Sequence, residues 1–424
     1  MGGRPNPSVV EEKKKIVISC QQKFVVSHPT GNTFVHVLLN QLYNQNQLEK
    51  FFTTIGAGLG ANPLFRSFCK ERRKYAIPDK MISRQWMPEF ARLLSKGNQE
   101  KKRRRVDLSY QALDHKVSRL LSNHSSQILH AYEDGCSSSF ARAKQLGMQC
   151  SYELPIAHWA TVRRLLAEET ERYPEWEPTL ESTREPEEKL CQKEEELKLA
   201  DRINCPSQFV LDSIPLEIRQ KTPCQVSPFG SPPCEPVDFG GSTQSDTLKL
   251  LFVGSMSQRK GLADLFEAMK LLNGEPISLS ILGQPSMPME FYRKQFAPFE
   301  YFPPCPNLKV RDIMKAHDAL VLPSIVEGRA LVQQEALSCG LPIIVTPNAG
   351  GEDLVEEGIT GHLVPIRSPE KIATAIRTLI AERKNIEEIR KLCQKKAKQY
   401  TWVSYAQNII NFNLSNSEQR VEIF

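Results

Sequence analysis

Short apolar runs alternate along the chain with stretches whose apolar positions have helical spacing. In the N-terminal half, Gln127–His130 predicts a strand, Ala141–Leu146 a helix, and Cys150–Leu154 the next strand. A strand, a helix and a second strand within about thirty residues are typical of a βαβ unit, and therefore of a parallel sheet. The pattern predicts an α/β fold for this half of the chain.

A second α/β pattern follows a change of composition. Residues 227–247 are rich in Pro, Gly and Ser, which is typical of a linker. Beyond them, Leu248–Val253 predicts a buried strand and Ala330–Cys339 a helix closed by Gly340. Two α/β domains joined by a flexible linker imply a cleft between them.

These observations divide the chain into four parts. Residues 1–226 are predicted to form an N-terminal α/β domain, and residues 248–400 a C-terminal one, on either side of the linker. For residues 401–424 we expect a C-terminal segment, with a helix that packs back on the N-terminal domain as one interpretation. The expected fold class is α/β, with two parallel-sheet domains that face each other.

A glutamate-rich stretch, residues 166–202, interrupts the N-terminal half and contains Pro174, Pro178 and Pro186. Its last piece, Glu187–Arg202, carries few apolar side chains among many charges, which predicts a solvated helix. A lid, an oligomer contact and a solvated insertion all fit this composition.

Composition places the chain among soluble globular proteins. Apolar residues make up 40% and charged residues 25%, and no stretch approaches the roughly 18 consecutive apolar residues of a membrane helix. The N-terminal residues, MGGRPNPSVVEEKKK, lack the apolar stretch of a secretory signal, so we expect a cytoplasmic protein. The 11 cysteines include no CxxC pair, which favours reduced, structural thiols. A net charge of +6 suits an anionic ligand or a membrane surface.

The segment PSIVEGRALVQQEALSCGLP carries two glutamates, Glu327 and Glu335. If Glu327 ends the loop after a strand, the amides that follow form a helix N-terminus, where unpaired N–H groups and the helix dipole favour a phosphate. These amides are those of Gly328, Arg329, Ala330, Leu331 and Val332. Glu335 is expected about one turn further into the helix, where its carboxylate can accept two hydrogen bonds from the vicinal hydroxyls of a ribose. This interpretation requires an open pocket in front of the segment.

Together with a second motif, GITGHLVP, this segment resembles the retaining glycosyltransferases of family 4, which have the GT-B fold of two Rossmann-like domains. The resemblance covers nearly all of residues 248–366. In that family the first glutamate contacts the donor sugar and the second binds the ribose, which implies these roles for Glu327 and Glu335. The alternative is that both are surface glutamates near the start of a helix.

The turn in LLFVGSMSQRKG, which we call the cationic turn, follows the first strand of the C-terminal half. In the resembling family a Gly-Arg pair and a later Lys-Gly pair hold the donor diphosphate. Lys260 and Gly261 match the second pair, whereas Ser255 follows Gly254 where the family has arginine, and Arg259 is the candidate for the second cation. The resemblance implies that Gly254, Ser255 and Lys260 contact the donor. On its own, such a turn is usually solvated.

The resemblance implies further contacts outside these two segments. Gly350, in a glycine-bearing loop after a strand, would line the sugar pocket. Gly31 and Asn32 stand where the family has a glycine-rich loop that touches the donor phosphates across the cleft. Related enzymes often place a histidine near the transferred sugar, a position taken here by either His130 or Tyr132. His130 is the catalytic candidate, and a buried structural histidine is the alternative.

Two basic clusters, Lys101–Arg105 and Arg72–Lys74, lie in the N-terminal half. Such runs are usually solvated, but an anionic membrane attracts them by about 1 kcal/mol per charge. Peripheral contact of this domain with a membrane is therefore one expectation. No aromatic residues interleave the charges, so nucleic acid is not expected as a partner.

The resemblance implies a retaining, metal-independent glycosyltransferase of the hexosyltransferase type. The donor would be a UDP- or GDP-sugar, and the acceptor a hydroxyl of a glycan, a lipid-linked sugar or a small molecule. The candidate catalytic residues are Glu327, Lys260, Arg259 and His130. No DxD motif lies beside the donor segments, so neither a metal nor another cofactor is expected. Ser255 in place of arginine leaves open a catalytically silent scaffold protein, and a nucleotide-sugar epimerase is a further alternative.

Overall fold

The computed structural model describes residues 22–94, 99–121, 128–180, 185–234 and 246–415. Several predicted features extend beyond these ranges: Gln127 of a strand, residues 181–184 of the glutamate-rich stretch, residues 235–245 of the linker, and residues 416–424 of the C-terminal segment. Within the described ranges, every helix is too short or too polar to cross a membrane.

Strands and helices alternate along the whole described chain. The strands are β1 (Phe24–Ser27), β2 (Leu48–Thr53), β3 (Ala57–Leu59), β4 (Lys74–Pro78), β5 (Ile82–Arg84), β6 (Ile128–Tyr132), β7 (Gln149–Glu153), β8 (Arg202–Cys205), β9 (Cys224–Val226), β10 (Leu248–Val253), β11 (Ile277–Leu282), β12 (Glu300–Phe302), β13 (Ala319–Leu322), β14 (Ile343–Val345) and β15 (Gly361–Leu363). The helices are α1 (Thr33–Asn44), α2 (Pro63–Phe68), α3 (Trp86–Leu93), α4 (Gln99–Leu120), α5 (Ser137–Gln145), α6 (Trp159–Arg172), α7 (Glu187–Leu199), α8 (Gln208–Ser213), α9 (Leu216–Arg219), α10 (Leu262–Leu271), α11 (Met289–Gln295), α12 (Asn307–Lys315), α13 (Leu331–Ser338), α14 (Pro369–Glu382), α15 (Ile386–Lys398) and α16 (Trp402–Leu414).

The N-terminal sheet has the strand order β5-β2-β1-β6-β7-β8-β9, and all neighbouring strands are parallel. All residues of β1 and β6 are buried, as expected for a parallel sheet that is covered by helices. The predicted βαβ unit is confirmed, because β6, α5 and β7 follow one another and β6 pairs with β7 along its whole length.

The C-terminal sheet has the order β12-β11-β10-β13-β14-β15, again with parallel neighbours. The predicted strand Leu248–Val253 is β10, and the predicted helix Ala330–Cys339 is α13, which is one residue shorter at each end. Each half of the chain therefore contains a parallel α/β sheet, as the sequence predicts.

Each sheet has a point at which the strand order reverses. In the C-terminal sheet, β11 and β12 extend from one side of β10, and the chain then returns to place β13 on the other side. In the N-terminal sheet the corresponding point lies between β1 and β6. Ligands of open α/β sheets bind outside the carboxyl ends of the strands at such points. Lys260 follows β10 and Glu327 follows β13, so both lie at the switch point of the C-terminal sheet.

A segment of the N-terminal half packs into the core of the C-terminal domain. We call it the bridging arm (residues 159–180), which consists of α6 and the following 3₁₀ turn. Trp176 is 1% exposed, and its ring lies 5.0 Å from that of Phe291, 5.7 Å from Tyr292 and 6.0 Å from Phe266. This part of the glutamate-rich stretch is thus an interdomain contact, which overturns the lid and solvated-insertion interpretations for it.

Buried polar contacts reinforce the bridging arm. Glu169 is fully buried and accepts hydrogen bonds from Arg367 Nε at 2.5 Å and from Gln258 Nε2 at 2.6 Å. Arg172 donates to Asp264 at 3.0 Å. Because Gln258 directly precedes Arg259 in the cationic turn, the arm also supports the backbone of that turn.

The second part of the glutamate-rich stretch differs from the prediction as well. The predicted solvated helix Glu187–Arg202 is α7 followed by β8, and α7 buries Leu190, Lys193, Glu196 and Leu197. The charged members of this set are paired: Lys193 Nζ lies 3.0 Å from Glu185, and Glu196 accepts the backbone amides of Asp134 and Cys136. A helix that is rich in charge is half-buried here because its charges have partners.

The last described helix, α16, packs on the N-terminal domain against α1. The Tyr405 hydroxyl donates to Glu153 Oε1 at 3.0 Å, and Asn204 Nδ2 donates to Glu153 Oε2 at 2.7 Å. Burial raises the pKa of Glu153 to about 8. The two domains thus exchange elements, since the bridging arm enters the C-terminal domain and α16 returns to the N-terminal one.

Trp176→Ala should lower the free energy of unfolding by about 3–5 kcal/mol, because it leaves a cavity in the core of the C-terminal domain. Trp86 provides a matched control: it is 56% exposed, and Trp86→Ala should change stability by less than about 0.5 kcal/mol. Urea unfolding of both variants measures the difference. Similar losses for the two variants would contradict the anchoring role of Trp176.

Stability should also depend on pH through Glu153. Its pKa is about 8 in the folded protein and 4.5 in the ordinary case, so the folded state keeps a proton that the unfolded chain releases. The stabilisation is fully present below pH 4.5 and is lost as the pH rises to 8, by about 1.4 kcal/mol per pH unit. Glu153→Gln should remove this component.

Buried Glu133 and Glu196 also have raised pKa values, so they add to the pH dependence of stability in both the wild type and Glu153→Gln. The difference between the two pH profiles therefore isolates the contribution of Glu153. Urea unfolding across this pH range provides the measurement. Parallel pH profiles for the wild type and Glu153→Gln would contradict the prediction.

Candidate active site

Backbone contacts hold the cationic turn at the carboxyl end of β10. The Lys260 side chain lies across Gly254, where an added Cβ would be 3.3 Å from Lys260 Cε. The Arg259 carbonyl accepts the backbone amides of Ile325 at 2.9 Å and Val326 at 3.3 Å, which join the turn to the loop after β13. Both cations are therefore held at the switch point.

Gly261 explains why a glycine follows the lysine. Its φ is +73°, in the left-handed region, and a Cβ there would lie 2.0 Å from the carbonyl oxygen of Pro323. A side chain would thus be strained by its own backbone and would also collide with the chain after β13. Glycine lets the cationic turn lie directly on that chain.

Both cations of the turn pair with one carboxylate. Arg259 Nη1 donates to Glu327 Oε1 at 2.7 Å, and Lys260 Nζ lies 2.6 Å from the same oxygen. Glu327 is 9% exposed, so the cluster is largely removed from water. Burial lowers the pKa of Lys260, and the Glu327 carboxylate opposes this effect. The structure brings three of the four candidate catalytic residues into direct contact.

The helix after Glu327 begins later than the sequence suggests. α13 starts at Leu331, and the Ala330 amide is already taken by the carbonyl of Ala349. Among the described residues, the amides of Gly328, Arg329, Leu331 and Val332 have no hydrogen-bond acceptor. Four of the five predicted amides are therefore free, two in the loop and two at the start of the helix.

Arg329 is a structural residue in this arrangement. Its guanidinium donates to the Gly350 carbonyl at 3.0 Å and to Asp353 at 2.7 Å and 3.1 Å, and it lies over the ring of Tyr400. The side chain is buried and fully engaged. The Arg329 side chain thus fixes the loop after β14, whereas the prediction for this residue concerned its backbone amide.

Glu335 lies two turns further along the chain from Glu327 and is half-buried. Its Oε1 accepts a hydrogen bond from Asn307 Nδ2 at 2.9 Å. Asn307 begins α12, which follows the carboxyl end of β12 in the same sheet. Sequence reasoning missed Asn307; the available signal was its position shortly after a strand of this sheet.

The N-terminal domain covers the loop that carries Glu327. A Cβ on Gly328 would lie 1.8 Å from the carbonyl oxygen of Pro155, and Ser207 Oγ donates to the Gly328 carbonyl at 2.6 Å. A Cβ on Gly350 would lie 2.0 Å from the same Gly328 carbonyl oxygen. The expected open pocket in front of Glu327, with Gly350 on its wall, is thus closed in this conformation, and both glycines serve the close contact.

The rest of the site reaches the surface. The partly exposed residues are Gly254, Ser255, Arg259, Lys260, Leu331, Val332 and Glu335. They surround the cationic turn and the start of α13. This side of the site is therefore accessible to solvent, whereas the N-terminal domain covers the Glu327 side.

On the N-terminal side, Gly31 and Asn32 follow β1 at the other switch point. Gly31 is buried, and a Cβ there would lie 1.6 Å from the carbonyl oxygen of Arg72, so this glycine permits a close backbone packing. Asn32 is exposed at the start of α1, and its side chain makes no capping hydrogen bond. Of the two candidates, only Asn32 presents a side chain to the surface.

His130 lies in the interior of the N-terminal sheet. It is 0% exposed, its Nδ1 lies 2.9 Å from Ser151 Oγ, and burial lowers its pKa to about 3. A side chain in this position does not contact a sugar in the cleft, so the structure supports the alternative of a structural histidine. Tyr132 ends β6, and its ring lies 4.4 Å from that of His28. His28 lies directly after β1. Nothing in the sequence singles it out, because a single histidine after a short strand is a weak signal.

Metal-binding groups of three or more His, Cys, Asp or Glu side chains do not occur among the residues that the structure describes. The positive charge at the C-terminal switch point comes from Lys260, Arg259 and the start of α13.

Comparisons with known proteins agree with this architecture. Residues 247–382 match the model of the family described as Glycosyl transferases group 1. D-inositol 3-phosphate glycosyltransferase 1 of Catenulispora acidiphila is 32% identical over 100 residues, which are 24% of this chain and 24% of that protein. The chain spans about a quarter to a half of the length of the curated relatives that it matches.

Solved structures extend the similarity to both domains. Sucrose-phosphate synthase from Thermosynechococcus elongatus superposes with a TM-score of 0.64 at 16% identity, over 93% of this chain and 98% of that chain. Anabaena HepE in complex with UDP superposes with a TM-score of 0.60 at 15% identity, over 92% and 99%. The family segment contains the cationic turn, Glu327 and Glu335. Residues 247–382 therefore match the family of glycosyl transferases group 1, and the chain as a whole has the two-domain GT-B fold.

Proposed function

We propose that the protein transfers a hexosyl group from a UDP- or GDP-sugar to an acceptor hydroxyl, with retention of the anomeric configuration. The observation that carries this proposal is the cluster of Lys260, Arg259 and Glu327 at the switch point of the C-terminal sheet. Two cations beside two free helix amides suit a diphosphate. The family match of this segment and the UDP complex of a protein with the same fold support the choice of donor.

A diphosphate would compete with Glu327 for the two cations. A unit charge about 4 Å from a phosphate oxygen gains on the order of 4 kcal/mol at an effective dielectric constant near 20. A ligand with two negative charges can therefore draw Lys260 and Arg259 away from a single carboxylate. Glu327 would then be released to accept hydrogen bonds from the donor sugar, next to the leaving group.

The same cations would stabilise the departing diphosphate, because negative charge grows on it as the sugar–phosphate bond breaks. Charged donors that are already in place act without reorganisation, which makes them effective in a site shielded from water. Since Lys260, Arg259 and the helix amides supply this charge, we propose that the reaction needs no divalent cation.

The ribose would bind at the more open end of the site. Glu335 is half-buried and already accepts one hydrogen bond from Asn307, so its second oxygen can accept ribose hydroxyls. Glu335 lies about one turn after the N-terminal amides of α13, which matches the short distance between a ribose and its diphosphate. The nucleotide would thus lie along α13 with its sugar toward Glu327.

Sugar binding and acceptor entry require the N-terminal domain to move away from Gly328. The contact there includes one hydrogen bond from Ser207 and a close backbone approach by Pro155, next to an apolar cluster in which Ile325 and Val326 pack with Ala157 and Leu166. We propose a small opening at Gly328 that leaves the bridging arm and α16 in place, and its reversal would exclude water from the reaction.

A catalytically silent GT-B protein is the main alternative, because Ser255 stands at the arginine position and Glu327 is covered. The experiment that separates the two is a thermal-shift screen with UDP-, GDP- and ADP-sugars, followed by an assay of nucleoside diphosphate release with a panel of acceptors. Acceptor-dependent release supports the transferase. Donor binding without release under any condition would support the silent protein, and acceptor-independent conversion of the donor would indicate an epimerase.

Lys260→Met should lower turnover about a hundredfold or more and weaken nucleoside diphosphate binding by about 1–3 kcal/mol, because a charge-assisted contact to the diphosphate is lost. Lys270→Met is the matched control, since Lys270 also pairs with a glutamate at 2.7 Å but lies exposed on α10. Calorimetry and steady-state kinetics measure both effects. Near-normal turnover of Lys260→Met would transfer the role to Arg259.

Gly261→Ala should weaken nucleoside diphosphate binding and lower stability, because a Cβ cannot fit 2.0 Å from the Pro323 carbonyl oxygen. Gly358→Ala is the matched control: its φ is +71°, close to the +73° of Gly261, but it has open space around it. Both variants carry the same backbone strain of about 1 kcal/mol. Calorimetry and thermal melting should show the additional loss only for Gly261→Ala, and equal effects would argue against the close contact.

A further inference from the structure

Two short helices of the N-terminal domain present apolar side chains to the surface. We call the surface of α2 and α3 the apolar face. No residue of α2 is buried, and α2 exposes 73% of Leu64, 37% of Phe65 and 87% of Phe68. A helix of six residues that buries nothing gains no stability from the core beneath it. The Arg84 guanidinium lies over the Phe65 ring at 5.3 Å, whereas Leu64 and Phe68 present most of their apolar surface to solvent.

α3 is turned the opposite way from an ordinary surface helix. Its inward side carries Glu89, which is 2% exposed and is held by Arg73 at 2.9 Å and by Arg92 at 2.7 Å. Its outward side carries the large apolar residues Trp86, Met87, Phe90 and Leu93, followed by Leu94, each more than half exposed. A surface helix normally places its apolar stripe toward the core. An apolar stripe on the outward side is expected where that side contacts an apolar environment.

The apolar face is surrounded by positive charge. Residues 63–94 contain eight lysines and arginines against three acidic residues. Two of the acids, Glu89 and Asp79, are neutralised by arginines of the same region. Further exposed cations, Lys102, Arg104 and Arg105, lie at the start of α4, which packs against α3, and Arg105 donates to the Ala91 carbonyl at 2.8 Å.

This surface also adjoins the cleft. The chain directly after α2 contacts the loop after β1 and the start of α1. The Arg72 carbonyl oxygen lies against Gly31 and accepts a hydrogen bond from His36 Nε2 at 3.0 Å. Arg73 Nη1 donates to the Pro29 carbonyl at 2.6 Å. The apolar face therefore lies next to the N-terminal switch point.

We propose that the apolar face docks the protein on the surface of an anionic lipid bilayer. Exposed Trp, Phe, Leu and Met side chains enter the interfacial region of a bilayer, and flanking lysines and arginines bind anionic headgroups. A second copy of the chain fits less well, because a symmetric contact would bring the same cations together. Nucleic acid would leave Leu64, Met87 and Leu94 exposed. The proposal does not depend on the enzymatic activity.

The test is co-sedimentation of the full chain with vesicles, without donor or acceptor. Vesicles of phosphatidylcholine alone are compared with vesicles that also contain phosphatidylserine, at low and at high salt. Binding to the anionic vesicles, weakened by salt, is expected. Phe68→Ser combined with Met87→Ser should lower the partition coefficient at least tenfold, and Lys102→Glu combined with Arg104→Glu should do the same on anionic vesicles.

Leu308→Ser is the control, because Leu308 is 76% exposed on α12 of the other domain and should leave vesicle binding unchanged. Since the substituted residues are exposed, thermal melting should show that each variant folds. Absence of binding to anionic vesicles, or equal binding by the wild type and both double variants, would overturn the proposal. Self-association or binding of an acidic protein that depends on Phe68 and Met87, without vesicle binding, would overturn it in favour of a protein partner.

Discussion

The site depends on one electrostatic contact, in which a single carboxylate neutralises two cations at the reversal point of a parallel sheet. Lys260 is largely buried, and a buried ammonium without a partner would lose its charge or destabilise the fold. Glu327, in the loop after the neighbouring strand β13, supplies that partner at 2.6 Å. The contact keeps positive charge in a shielded place until a stronger anion replaces the carboxylate. It therefore couples the stability of the apo fold to the chemistry proposed for the donor.

The domains are held around this contact by an exchange of elements. The bridging arm places Trp176 in the C-terminal core, while α16 places Tyr405 in the N-terminal one. Two anchors in opposite directions restrict separation of the domains more than a linker alone. In the proposed reaction the contact at Gly328 has to open, and the two anchors limit the size of that movement. Such a design favours small adjustments around a preformed donor site.

The apolar face extends this organisation to the outside of the molecule. It adjoins the loop after β1, so a bilayer bound there would be adjacent to the N-terminal switch point. The bridging arm and α16 fix the two domains relative to each other. Docking on a lipid surface would thus orient the cleft as well as concentrate the protein.

The alternation of apolar runs and helical spacing predicted both sheets, the strand β10 and the helix α13, because these patterns depend on local periodicity. The motifs also suggested that Glu327, Lys260 and Arg259 lie close together, since they belong to the loops after β13 and β10, whose carboxyl ends meet at one edge of the sheet. The burial of His130, the side-chain role of Arg329 and the contact between Asn307 and Glu335 depend on strand order and on residues distant in sequence. Likewise, the local sequence around Trp176 is rich in glutamate and predicts exposure. Its burial depends on contacts with Phe266 and Phe291, which are distant in sequence. Local periodicity determines which elements form, whereas only the packing of distant segments decides which of their side chains are buried and which remain available.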